Sequence, residues 1–137
     1  MKKKHIFVQD CGILNFDIVV LVGVDEKYFK DWSKKNRKLI CKEEADYILE
    51  NIDFTLDDKN SDGFLHYNYE KGYFVLVTKE AVDEWDYWTI LLHEITHAAQ
   101  HLSEKYYFKG EREFEAYMFE YLFKNIRRKI SGVTKYK

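Results

Sequence analysis

From Asp83 or Asp86 to about Ser103 the chain carries apolar residues at helical spacing. At about 100° per residue, with His93 set at zero, Ala98, Leu91, Leu102, Ile95, Trp88, Ala99 and Leu92 fall in order between about 140° and about 260°. A helix with so continuous an apolar arc must lie against a core along its length. The segment from Glu111 to about Ile130 repeats the pattern. With Glu115 at zero, Phe114, Met118, Leu122, Ile126, Phe119, Ile130, Phe123 and Ala116 run from about 260° through zero to about 100°. Two successive one-sided helices need a common surface to cover, and the strand-forming residues lie upstream.

Upstream, His5 to Gln9 and Ile18 to Val24 are rich in β-branched residues and read as strands. Asp25 is placed to cap a helix reaching about Lys38. Ala45, Ile48, Leu49 and Ile52 recur at helical spacing and predict a helix over Lys42 to Asn51. Thr55 to Gly63 reads as a polar loop. Phe64 to Tyr69 and Tyr73 to Val77 flank Glu70-Lys71-Gly72 as a hairpin. Tyr106 to Gly110 breaks the two C-terminal helices. The expected class is α+β: a small, mainly antiparallel sheet packed on the two C-terminal helices. At 137 residues the chain is read as a single domain, 1–137.

Composition excludes several alternatives. With 46% apolar residues and 18% aromatics, disorder is excluded; with no proline, so are collagen-like and proline-rich behaviour. The net charge of −2 names no partner. Nine acids and one base lie between Glu43 and Glu70, and six bases with no acid between Lys124 and Lys137. These read as a solvated acidic face and a basic tail. No nucleic-acid recognition motif accompanies them, so no nucleic-acid partner is expected. Cys11 and Cys41 form no C-x-x-C pair, which points to free thiols in a reducing cytoplasm. Lys2 to Lys4 precede only Ile6-Phe7-Val8, too little for a signal h-region. Ile18 to Val24 is too short to span a bilayer, so no membrane association is expected.

The chemistry lies in His93-Glu94-Ile95-Thr96-His97, an H-E-x-x-H sequence. Residues four apart on a helix are neighbours, so His93 and His97 project from one face and can share one Zn²⁺ at about 2.0–2.1 Å. Glu94 stands one residue round, placed to hold a metal-bound water and act as general base for hydrolysis. The wheel puts His93, His97, His101 and Glu94 opposite the apolar arc. The bland alternative is a set of solvent-facing histidines on an amphipathic helix. Catalytic zinc needs a third protein ligand. Ser103 occupies the position of the third histidine in the extended motif, so that ligand is expected from the last helix. Glu115 sits within the apolar arc, where a carboxylate without a partner is costly and a metal removes the cost. Glu111, one turn earlier, is the fallback and has an ordinary explanation as a first-turn acid. His5 and His66 read as structural histidines, and Trp85 and Trp88 as packing residues.

These residues resemble the zincin metallopeptidases, and within them the gluzincins. In thermolysin-like members the H-E-x-x-H helix is completed by a Glu followed by Ala on a later helix, here Glu115-Ala116. The gap from His97 to Glu115 is 18 residues, and the likeness covers roughly residues 64 to 123. Short phage- and mobile-element-encoded zincins are similar in size, with a hairpin before the motif helix and a following E-A-Y helix, here Glu115-Ala116-Tyr117. The resemblance implies a minimal zincin-like domain, a Zn²⁺ cofactor, and a peptide or protein substrate bound along a sheet edge, taken to be Tyr73 to Val77. Glu94 would be the catalytic base and His93, His97 and Glu115 the ligands of a zinc metallopeptidase with a narrow target. The alternative is a zincin-fold binding or regulatory module without turnover. Zincins also supply a His, Tyr or Arg to the oxyanion. The candidates for that or a supporting role are His101, Tyr106, Tyr107, Arg112 and Tyr117. His101 lies about 12 Å along the axis from His93, too far for a ready third ligand.

Overall fold

A computed structural model describes residues 4–11, 14–56, 62–68, 70–80, 84–105 and 112–131. Four strands and four helices follow in the order β1 (His5–Cys11), β2 (Leu14–Val22), α1 (Glu26–Lys35), α2 (Lys42–Asn51), β3 (Gly63–Asn68), β4 (Tyr73–Thr78), α3 (Glu84–Lys105) and α4 (Arg112–Ser131). The strands form one sheet in the order β1-β2-β4-β3. The outer pairs β1–β2 and β3–β4 are antiparallel, and the central pair β2–β4 is parallel, with Ile18 opposite Phe74 and Val22 opposite Thr78. The class is α+β with a mainly antiparallel sheet.

Helices cover both faces of the sheet, which explains the unalternating apolar runs. Strands buried on two sides need apolar residues at successive positions. In β2, Ile18, Val20 and Val22 join Phe74 and Leu76 of β4 under α3 and α4, with Leu91, Ile95, Leu102, Met118 and Leu122. The intervening Val19, Leu21, Val75 and Val77 face α1 and α2, where Phe29, Ile40, Ala45 and Ile48 close a second core. A fully buried side chain of this kind stabilises by roughly 1.5–3 kcal/mol.

Local chemistry sets the boundaries. Asp25 caps α1 by accepting the Tyr28 amide at 2.7 Å, as its position predicts. The β3–β4 turn is held by Asn68, whose Oδ1 accepts the amides of Glu70 and Lys71. Gly72 supplies the left-handed step there at φ 74°. The C-terminal half of α4 is fastened to β1: Tyr121 donates its hydroxyl to Asp10, and Lys129 Nζ donates to the Val8 carbonyl at 2.8 Å.

One expectation needs correction. Tyr73 to Val77 is not a sheet edge: β4 is hydrogen-bonded on both sides, by β2 and β3. The reason is visible in its composition, since all six β4 residues are buried and none faces solvent. The terminal strand next to α3 is β3. Two smaller differences follow from pairing. β2 begins at Leu14 rather than Ile18, and Gly63, read as loop, opens β3.

Candidate metal centre

Helix α3 rests on α4, β3 and β4. Leu91, Ile95, Ala98 and Leu102 are buried, a line recurring every three to four residues. Burying that line fixes the rotation of the helix and turns His93 and His97 outward, where both are exposed. Thr96, between them, donates its hydroxyl to the Leu92 carbonyl at 2.7 Å and so points back along the helix.

The two imidazoles converge. Their Nε2 atoms lie 3.2 Å apart, with the rings nearly perpendicular at 82°. Whether these nitrogens fit a metal follows from the triangle they form with it. A 3.2 Å base and two legs of about 2.0–2.1 Å close with an apex angle of about 100°, near the tetrahedral value that zinc prefers. The pair fits zinc, and either ring carries its lone pair on Nε2 in one neutral tautomer.

Glu94 departs from its place on the wheel. It falls on the polar side there, yet it is 5% exposed. Its Oε1 is 3.9 Å from His93 Nε2. Burial raises the affinity of this carboxyl for a proton, and the nearby His93 and His97 partly oppose that rise. The result is a buried carboxyl with raised basicity beside two convergent nitrogens.

Glu115 is half-buried in the first turns of α4, one turn before the buried line Met118, Leu122, Ile126 and Ile130. With Ala116 and Phe119 it lines a cavity of about 470 Å³ whose α3 wall is Thr96 and Ala99. Of the other α4 carboxylates, Glu113 is exposed, and Glu120 is exposed and pairs with Lys124 at 3.5 Å. Glu115 is therefore the α4 carboxylate that faces α3. It does so on the Thr96 side, and among the described residues no three His, Cys, Asp or Glu side chains come together as a metal-holding group.

The remaining candidates spread out. His101 is exposed, with its ring edge against Phe74 at 5.7 Å between centroids. Tyr117 is 54% exposed and stacks on Tyr121. Arg112 is the first residue of α4. Tyr106, Tyr107 and the fallback Glu111 lie outside the described residues. His66 has the structural role expected of it, with Nε2 2.7 Å from the Tyr47 hydroxyl. Trp88 packs on Phe123. Sequence reasoning missed the burial of Glu94. The signal for it was weak: at about 100° on the wheel Glu94 only borders the apolar arc, which begins at about 140°.

Comparison with protein-family models, with curated proteins and with solved structures finds no match to this chain. Among the described residues, no helix is long and apolar enough to cross a membrane.

Proposed function

We propose that this chain is a zinc-dependent metallopeptidase of the zincin type. His93, His97 and Glu115 hold the metal, and Glu94 is the general base. The observation that carries the reading is the 3.2 Å separation of the His93 and His97 Nε2 atoms beside a buried carboxyl. The H-E-x-x-H spacing and its likeness to the gluzincins supply the rest. Zn²⁺ in such a site supplies Lewis-acid polarisation of a carbonyl oxygen and acidifies water. The side chains do the remainder. His93 and His97 fix the metal to the outer side of α3. Glu94 takes the proton from the attacking water and returns it to the leaving amine nitrogen, and its raised basicity suits both transfers. An extended peptide substrate adds along β3, the terminal strand beside α3, where main-chain pairing gives affinity with little demand on side chains. The reading assigns the protein to the cytoplasm, in keeping with two free cysteines.

A second reading draws on the position of Glu115, which lines the Thr96–Ala99 cavity. A zincin-fold module that binds a protein partner without turnover has no need of a third ligand beside the histidines. Elemental analysis of protein purified without chelators, followed by cleavage profiling of wild type against Glu94→Gln, separates the two. One zinc per chain and peptides lost in Glu94→Gln are expected. Zinc-free protein overturns the metallopeptidase reading, and bound zinc with an unchanged peptide pool selects the non-catalytic one.

A further inference from the structure

Between Lys27 and Lys42 the chain holds seven bases and one acid, Asp31, a balance of +6 in a protein whose net charge is −2. The fold gathers these bases. On α1, at about 100° per residue, Lys27, Lys30 and Lys34 fall within about 60° of one another. They lie on the side away from the buried Phe29 and Ser33. Lys35, Arg37, Lys38 and Lys42 continue the series through the α1–α2 connection, and all seven bases are exposed. None of their side chains pairs with a carboxylate among the described residues. At the start of α1, Lys4 adds another charge, its Nζ 5.4 Å from the centre of the Tyr28 ring.

An exposed run of lysines is ordinarily a solvated face. Leu39 sets this one apart. It is 57% exposed, between Lys38 and the buried Ile40. The turn that presents it is fixed. The Asn36 carbonyl accepts the Leu39 amide at 2.9 Å and the Ile40 amide at 3.1 Å, and Asn36 Nδ2 donates to the Trp32 carbonyl at 2.8 Å. Ile40 takes the inward place, in the core with Phe29 and Ile48, and Leu39 is left in water. A large apolar side chain held in water by an ordered turn gains free energy wherever a partner covers it.

The partner that uses both features is charged and apolar at once. A nucleic-acid backbone or a run of acidic side chains answers the bases and gives Leu39 nothing. A bilayer with anionic lipids offers headgroup charge to the bases and, just beneath it, hydrocarbon to Leu39. The lysine stems can lie along that boundary with their ammonium groups among the headgroups. We propose that the α1 face and the α1–α2 turn dock on an anionic lipid surface, with Leu39 inserted. The expectation of no membrane association rests on the lack of a spanning segment, and docking on a surface needs none. Because α1 and α2 cover the sheet face opposite α3, a docked chain keeps His93 and His97 turned to the aqueous side.

The test is co-sedimentation of the full chain with vesicles of phosphatidylcholine alone and of phosphatidylcholine with one quarter phosphatidylglycerol, in about 0.1 M salt. Binding is expected to the phosphatidylglycerol vesicles only, and should fall as salt is raised. A base near an anionic surface is worth about fivefold in partitioning, so Arg37→Gln with Lys38→Gln should weaken binding about 25-fold. Leu39→Ser should weaken it about tenfold. Lys124→Gln with Arg127→Gln, two exposed bases of α4, makes the same change in net charge and should leave binding unchanged. All of these side chains are exposed, so the variants should fold, and circular dichroism checks it. Glu94→Gln should bind vesicles like wild type, with or without zinc, so this result stands or falls apart from zinc chemistry. No sedimentation with the phosphatidylglycerol vesicles, equal sedimentation with both kinds, wild-type binding by folded Leu39→Ser, or an equal loss in the α4 variant each overturns the proposal. Tighter binding to a short DNA duplex, read by fluorescence anisotropy, also overturns it and assigns the bases to nucleic acid.

Discussion

Replacing His97 by alanine is the perturbation that bears hardest on the site. His93 and His97 each contribute one nitrogen, and the 3.2 Å between them matches a chelating pair on one zinc. Removing one ring leaves a single nitrogen on an exposed helix side. Losing a partner that only orients a ligand already weakens metal binding about 10–100-fold. Losing the ligand itself must exceed that, so His97→Ala is expected to lower zinc affinity at least about 100-fold, or about 2.7 kcal/mol. His97 is exposed, so the fold should survive, and circular dichroism checks it. The assay is competition for zinc against a chromogenic chelator at neutral pH. His93→Ala should behave alike. Glu115→Ala should weaken binding, while Glu113→Ala, on an exposed part of α4, should not. Acidification should weaken wild-type binding, because the nitrogens must be unprotonated to ligate. Wild-type affinity in both histidine variants would refute the chelate, and equal losses in Glu113→Ala and Glu115→Ala would refute the third ligand.

Three further outcomes concern the fold. Glu94→Gln should stabilise the metal-free protein at neutral pH. Burial raises this carboxyl's pKa in the folded state, so its ionisation opposes folding above the unfolded value of about 4.3, and the gain measured by urea unfolding should vanish in more acidic buffer. Stability should fall as pH rises from about 10 towards 12, because Tyr73 and Tyr121 are both pushed up to about 12 in the folded chain. The hydroxyl of Tyr121 is held mainly by its bond to Asp10, so Tyr121→Phe should shrink that alkaline loss; an unchanged pH profile counts against the tether. Leu122→Ala, at a fully buried position, should lower the unfolding free energy by about 2–5 kcal/mol, and a shift below about 1 kcal/mol would place the α4 contact outside the core.

Much of this was legible in the sequence because it is local. The α2 bounds, the Asp25 cap, the β3–β4 hairpin and the outward histidines follow from periodicity and turn chemistry within a few residues. The inner position of β4 was not read correctly, because its second partner, β2, lies 56 residues away. The unbroken run Tyr73-Phe74-Val75-Leu76-Val77 nonetheless carried that information, since an edge strand with one wet face alternates. The position of Glu115 within the apolar arc was legible, but which flank of α3 it meets depends on how two helices cross.

The bonds from Tyr121 to Asp10 and from Lys129 to Val8 join α4 to β1 across most of the chain. During synthesis β1 and β2 leave the ribosome long before α4 exists. Their Phe7, Ile18, Val20 and Val22 side must therefore wait, uncovered, for a helix that begins 90 residues after β2 ends. Contacts of such sequence separation close slowly, and an apolar sheet face left bare in the meantime invites association. A nascent chain stalled before α4 should accordingly depend on chaperones, although every strand of its sheet is already present.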